Sequence, residues 1–291
     1  MTTRAAAFPA YPRQKVRLTT RIGNWLLGTN AALVFGFLYL PVLILIIFSF
    51  NNTRSVAVFT GFSTEWYTAL AQNEELLDAA RNSLLVGVIT TIAATLIGTL
   101  TALAMERYRF KLRTTFDANL YLPIVIPEIV MGIALLLFFN QALFPFLQNV
   151  FGLRATSGLH TITISHIAFD IPFVYVIVRA RLADFDRSLE EAAANLGASW
   201  SYAFRRVVLP LILPGVLGGA LLAFVHGFGE FVASILIYTP ANEPLSVAIY
   251  TRMYSFEFGT AAAYGVLQIL LIFVVLNFTS RLGQGQAGPV V

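Results

Sequence analysis

The chain has 291 residues, of which 57% are hydrophobic and 12% charged, with a formal net charge of +4. Soluble globular domains hold roughly 45–50% apolar residues, so this composition excludes an ordinary soluble domain. The absence of cysteine excludes disulfides, thiolate metal sites and cysteine nucleophiles.

In chain order, residues 1–27 form a basic segment containing Arg4, Arg13, Lys15, Arg17 and Arg21. Within it, "PRQKVRLTTRIGNW" ends at Trp25, a side chain suited to a membrane edge, so it is expected to lie along the cytoplasmic face. For residues 1–12 a disordered basic tail is the alternative. The first apolar run, Ala31 to Phe50, carries no charge. It matches the ~20 residues that cross a hydrocarbon core. It is also longer than a signal-peptide core and has no small-x-small cleavage site after it, so a retained helix is expected.

A polar loop at 51–80 follows, with Glu65, Glu74, Glu75 and Asp78. Ser83 to Met105 and Gly259 to Ser280 are again uncharged runs. Between them, three spans each hold ionisable groups: about 118–140 with Glu128, about 160–178 with His166 and Asp170, and about 212–238 with His226 and Glu230. The runs are continuous and lack period-2 alternation, so they predict helices, not barrel strands. The expectation is an all-α membrane protein with six transmembrane helices over residues 28–281 and a tail at 282–291.

Charge orients the chain. Fifteen of the nineteen Lys and Arg residues fall on the side shared by the two termini, in the leader, at 107–113, at 179–206 and at Arg281. Only Arg54, Arg81, Arg154 and Arg252 fall on the other side. The positive-inside rule then predicts both termini in the cytoplasm.

On that cytoplasmic side, residues 184–210 interrupt the apolar pattern. Asp184 to Leu196 are good helix formers, and Gly197 follows where a left-handed residue would end a helix. Ser199 is placed to cap a second short helix, Trp200 to Val208, ended by Pro210. The pair predicts a protruding knob whose Ala192, Ala193, Leu196, Trp200 and Phe204 lack an obvious internal core. Either a groove on a partner protein or the membrane surface would cover them.

Spaced out, this stretch reads E-A-A, three residues, G, nine residues, V-x-L-P, carried by Glu191, Ala192, Ala193, Gly197, Val207, Leu209 and Pro210. It resembles the EAA signature of ABC-importer permeases, with Val207 in a position usually held by Ile. The resemblance covers roughly residues 25–281 and implies the type I importer permease fold in a bacterial inner membrane. It implies that the knob, including Ala198, docks on a separate ATP-binding subunit present in two copies. It also implies a second, related but distinct permease chain and an extracytoplasmic solute-binding protein, with the loops 51–80 and 240–260 as docking sites for the latter. Membrane lipid completes the expected surroundings, and no nucleic-acid partner is expected.

No G-x-x-x-x-G-K-[ST] loop is present, and "GFGE" at 227–230 lies in a membrane span. The chain is therefore expected to be a transporter subunit, not an enzyme, binding no cofactor or metal itself while its partner uses ATP.

Charges in a membrane are costly and usually face a cavity or bundle interior, which makes Glu128, Asp170, Glu230, His166 and His226 candidates for the substrate pathway. Three carboxylates without Lys or Arg beside them suit a cationic solute, since unrelieved like charges would take up protons. The alternatives are structural. His166–Asp170 and His226–Glu230 are each four apart and could satisfy one another on one helix face. Glu128 follows Pro123 and Pro127, whose freed backbone groups it could bond.

The stretches "PEIVMGIALLLFF" (127–139), "SHIAFDIPFVYVIVRARLADFD" (165–186) and "LEEAAANLGAS" (189–199) are similar to the spermidine/putrescine branch of the permeases. Asp170 departs from that branch, which more often has an uncharged residue there. Branches for ferric iron, thiamine or aminophosphonates share much of the pattern. A rival class, a proton-driven carrier with Glu128, Asp170 and Glu230 as relay, would be marked by discontinuous helices and internal repeats; no clear repeat relates the halves. A purely structural membrane subunit is disfavoured by the uncompensated carboxylates.

Overall fold

The computed structural model describes residues 18–54 and 58–284. The basic leader at 1–17 and the tail from 285 onward lie outside the described residues. The named elements are all helices, and an isolated bridge pairs Asn51 with Phe62. Six helical stretches are long and apolar enough to cross a membrane: Gly23–Phe48, Glu74–Arg107, Glu128–Phe151, Leu159–Ala183, Trp200–Gly229 and Phe258–Asn277. The number agrees with the sequence reading; several boundaries do not.

The chain divides into two units between Ile47 and Phe48. The first holds α1 (Leu18–Phe48) up to Ile47, an uninterrupted helix that contains Pro41. Its window of mean hydropathy 2.8 makes it apolar all round, the pattern a lipid-facing span requires.

The second unit is built on three mutually packed helices: α3 (Glu74–Arg107), α7 (Leu159–Ala183) and α10 (Leu209–Gly229). Ala94, Ala102 and Leu103 of α3, Val174, Tyr175 and Val178 of α7, and Ile212 and Ala223 of α10 share one buried cluster. Small residues let the backbones approach: a Cβ on Gly98 would lie 2.8 Å from the Val174 Cβ. With no hydrophobic drive between helices in lipid, such close packing is what holds them together.

Around this core lie α2 (Glu65–Gln72), α4 (Arg113–Val125), α5 (Glu128–Leu137), α6 (Phe144–Phe151) after a π turn at Phe138–Leu143, α8 (Ser188–Asn195), α9 (Trp200–Ala203), α11 (Val232–Ile237), α12 (Leu245–Tyr254) and α13 (Phe258–Gln284). α4 packs on α7, where the Tyr175 hydroxyl donates to Asp117 at 2.6 Å and Arg179 bonds the same carboxylate oxygen. The guanidinium of Arg179, then the Tyr175 hydroxyl, hold the Asp117 carboxyl below its ordinary range against the opposing effect of partial burial.

The third span is not one helix over 118–140. It breaks at Ile126 and Pro127, both extended, and restarts at Glu128. Pro127 lacks the N–H for a helical bond and pushes the residue before it out of the helical region. The fifth span is also discontinuous: Glu230 is extended between α10 and α11.

The knob departs from expectation in its second half. Trp200 does not open a short helix ended by Pro210. The helix runs from Trp200 to Gly229 through a π turn at Phe204–Val208. A π turn already shifts the hydrogen-bond register, so the missing Pro210 N–H is tolerated there. Ser199 occupies the N-cap position in extended conformation, yet its side chain makes no cap bond.

Candidate functional site

Two groups of candidate residues can be built up from the fold, one on the knob at 184–210 and one where α7 and the end of α10 meet the starts of α5 and α11. On the knob, α8 ends as the sequence predicts. Gly197 has φ +85°, Ala198 N–H donates to Ala193 O at 3.0 Å, and Gly197 N–H to Ala194 O at 2.9 Å. This double-bonded helix end needs a left-handed residue, which glycine adopts without strain. At the other end, the Ser188 N–H bonds Asp186 at 2.9 Å and holds that carboxyl below its usual range.

The resulting surface is apolar and open: Leu196 is 89% and Trp200 66% exposed. Glu191 and Ala192 are exposed, Ala193 and Ala198 half-buried. Phe204 is half-buried against the core with Trp200 stacked on it at 5.6 Å. Leu209 also packs inward on the core, while Pro210 is exposed. The docking set therefore divides: Glu191, Ala192, Gly197 and Pro210 face outward, and Leu209 anchors the knob.

In the second group the sequence's pairing is exchanged between helices. His166 is not paired with Asp170, nor His226 with Glu230. His166 Nε2 lies 3.0 Å from Glu230 Oε2, and His226 Nδ1 lies 2.7 Å from Asp170 Oδ1. The reason is local. Glu230 lies just past the end of α10 with φ −63° and ψ 129°, so it no longer shares a helix face with His226. Once α7 and α10 pack closely, the cross-helix partner is nearer than the one four residues away.

Glu230 is fully occupied. Its Oε1 accepts from Ala233 N–H at 2.6 Å, and its Oε2 accepts from Ser234 N–H at 3.0 Å and from the Ser234 hydroxyl at 3.1 Å. It thereby satisfies the free amides at the start of α11, where the helix dipole also favours a negative charge. His166 Nδ1 faces the Gly227 carbonyl at 3.0 Å, an acceptor only, so Nδ1 carries a proton. Ser246 donates to the Glu230 carbonyl at 2.8 Å and completes the clip. Both His166 and Glu230 are buried.

The second constellation is open on one side. His226 sits between two carboxylates, with Nδ1 toward the fully buried Asp170 and Nε2 3.6 Å from Glu128. The Glu128 side chain is 53% exposed and opens α5, again at a helix start. Although Asp170 is so near His226, the approach is too oblique for a hydrogen bond, and neither carboxylate oxygen has an aligned donor. The buried Thr90 hydroxyl likewise lacks a partner among the described residues. Phe173 and Phe169 flank His226, with centroids at 5.3 and 6.5 Å. Among the described residues no three His, Asp or Glu converge as metal ligands.

Sequence reasoning missed Ser234, Thr90 and the Asp117–Tyr175–Arg179 cluster. Arg179 stands four residues after Tyr175, a spacing that places the pair on one helix face, and Ser234 stands four after Glu230, within reach of a side chain that caps a helix start. Which other helix these residues meet is not encoded in such spacing.

Six candidate membrane helices, an exposed apolar knob between the fourth and fifth of them, and carboxylates buried between helices define a multi-pass helical membrane protein. The fold matches a bacterial ABC transporter involved in the import of the acidic polysaccharide alginate, with TM-score 0.77 at 19% identity, over 94% of this chain and all of that one. It also matches the MetNI methionine ABC transporter, with TM-score 0.59 at 18% identity, over 78% of this chain and all of that one.

Residues 94–287 match the family described as binding-protein-dependent transport system inner membrane component. The chain is 36% identical over 255 residues to the spermidine/putrescine transport system permease protein PotC of Escherichia coli K12, covering 88% of this chain and 91% of the relative. It is 34% identical over 239 residues to the putrescine transport system permease protein PotI of the same strain, covering 82% and 81%. The chain belongs to this family of ABC-importer inner-membrane permeases and is a multi-pass protein of the bacterial inner membrane. Its discontinuous helices, which would also suit a proton-driven carrier, are thus features of an importer subunit.

Proposed function

We propose that this chain forms half of the translocation pathway of an ATP-driven importer for polyamines such as spermidine and putrescine. The observation that carries the reading is the 36% identity to a spermidine/putrescine permease over most of both chains. The mid-membrane geometry supplies the chemistry. Glu128 is an accessible carboxylate next to His226, with Asp170 and the Phe169 and Phe173 rings behind it. A flexible polycation needs carboxylates for its ammonium groups and apolar or aromatic walls for its alkyl links. Glu230 and His166, satisfied within the chain, hold the α10–α11 break in place and shape the pathway from behind.

The termini lie in the cytoplasm, and the knob docks through Glu191, Ala192, Ala193, Gly197, Ala198 and Pro210 on an ATPase subunit, of which the complex holds two. A second, related permease completes the pathway, and a solute-binding protein docks on the outer loops. The chain itself binds no cofactor.

The test is ATP-dependent uptake of labelled spermidine and putrescine by the full complex in liposomes. Glu128→Gln is expected to cut uptake at least about tenfold, as loss of one charged hydrogen bond worth ~1.5–3 kcal/mol would. Absence of polyamine uptake by the wild type, with ATP still hydrolysed, would overturn the substrate and redirect the search to ferric iron, thiamine or aminophosphonates.

A further inference from the structure

We propose that the Arg107–Glu190 ion pair is the contact through which the knob drives α3, and that α3 carries the knob's motion to α12 on the outer side. The proposal rests on the knob being the ATPase-docking element.

α8 buries none of its residues. Its main packing partners are its own neighbours, α9 and the π turn at 204–208. Apart from those, it is tied to a membrane helix by charge. Arg107, the last residue of α3, binds Glu190 through two parallel bonds, Nη1 to Oε1 at 2.9 Å and Nη2 to Oε2 at 3.0 Å. Both side chains are largely covered, 28% and 22% exposed. A fork-to-fork pair of this kind fixes direction as well as distance, which a lysine could not do.

The adjoining Glu106 adds a second strap. It accepts from Arg187, just before α8, at 3.0 Å, and the same Arg187 Nη2 donates to the Glu106 carbonyl at 3.1 Å. Arg113 approaches Glu106 at 3.9 Å. The straps line a half-open cavity of about 300 Å³ together with Leu182 and Phe185.

The far end of α3 is fastened as firmly. The Leu245 N–H, opening α12, donates to the Ser83 hydroxyl at 2.7 Å, and Asn82 Nδ2 donates to the Glu243 carbonyl at 3.3 Å. Arg252 of α12 reaches Glu75 at 3.2 Å. Both attachments lie on one helix of 34 residues without proline, about 50 Å long at ~1.5 Å per residue. α7 contains Pro172, and the run through α10 contains a π turn and prolines. Of the three core helices α3 alone has neither proline nor a π turn, and it is hydrogen-bonded to the knob at one end and to α12 and the segment before it at the other. Glu190 is thus a positioning residue adjacent to the docking glutamate Glu191, with its carboxylate turned inward to α3.

The chain has no cysteine, so a single introduced one reports from a chosen point. An environment-sensitive fluorophore at Tyr254→Cys, a 76% exposed position at the end of α12, is followed on ATP addition in the complete complex. The backgrounds are wild type, R107E, E190R, the double swap R107E/E190R, and R107K. ATPase retained on purification and basal ATP hydrolysis are measured alongside.

The expected result is an ATP-induced signal in wild type. In both single swaps it falls at least about fivefold, the factor of ~1 kcal/mol, with ATPase still retained, and it returns in the double swap. R107K, which keeps charge and loses the fork, gives an intermediate signal. A full signal in the single swaps, a double swap no better than the singles, or no signal in a wild-type complex that hydrolyses ATP would each overturn the proposal. Loss of ATPase from the single swaps alone would make the pair a determinant of knob folding and also overturn it. Failure of the wild type to retain ATPase would instead sink the docking reading, and the strap with it.

Discussion

Replacing Glu230 with Gln separates a structural carboxylate from a transporting one. The carboxylate receives two backbone N–H groups, one hydroxyl and His166 within 2.6–3.1 Å, in a pocket that leaves its side chain 1% exposed. A Gln side chain has one oxygen and would turn an NH₂ toward donors. One buried donor left without an acceptor costs ~1–3 kcal/mol, and the charge-assisted bond to His166 a further ~1.5–3 kcal/mol. Together these amount to ~3–5 kcal/mol.

At ~2–4 °C per kcal/mol for a unit of this size, the apparent melting temperature should fall by about 6–20 °C. Thermal unfolding in detergent, followed by tryptophan fluorescence, is the assay. Glu128→Gln is the control. With a 53% exposed side chain and a 3.6 Å contact, it should change stability by no more than ~1 kcal/mol. If Glu230→Gln melts with the wild type while uptake falls, Glu230 belongs to the pathway and the reasoning about the capped break is refuted.

Two further outcomes follow from packing and from charge outside the membrane. Gly98→Ala places a Cβ 2.8 Å from the Val174 Cβ and 3.0 Å from the Ile171 carbonyl. An overpacking cost of ~1–3 kcal/mol outweighs the ~1 kcal/mol gain in helix propensity, so the variant should unfold at lower temperature. Gly218→Ala, whose Cβ would meet its nearest neighbour at 3.7 Å, should be neutral or slightly stabilising in the same assay. The lowered Asp117 carboxyl stabilises the α4–α7 contact above its unfolded value of 3.8, and that stability is lost as pH falls through the lower folded value. Asp117→Asn should therefore be less stable than wild type near neutrality and converge on it in acid, read from unfolding midpoints across the pH range.

Local features were legible from the chain. The Gly197 stop is one, because a helix end of this type uses bonds among residues 193–198 alone. The number of spans is another, because hydropathy over some twenty residues is a property of the segment. Glu191, Ala192 and Gly197 could be placed on an exposed knob for the same reason. The span limits were less legible. Pro123 stays inside α4 whereas Pro127 breaks the chain. Both are prolines in one apolar run, and the neighbouring helices decide which of the two freed backbones is accommodated.

The sequence by itself determined the six spans, the left-handed end of α8, and the presence of three carboxylates and two histidines at membrane depth. Periodicity and residue chemistry are enough for these. Only the tertiary structure decided their partners. His166 turns to Glu230, and His226 to Asp170 and Glu128. Glu190 turns away from the knob surface to Arg107, 83 residues back along the chain. An ionisable group in low dielectric is stabilised by the nearest group that can carry the opposite charge. Here that group is supplied by helix packing and by a helix break at Glu230, neither of which spacing along the chain records.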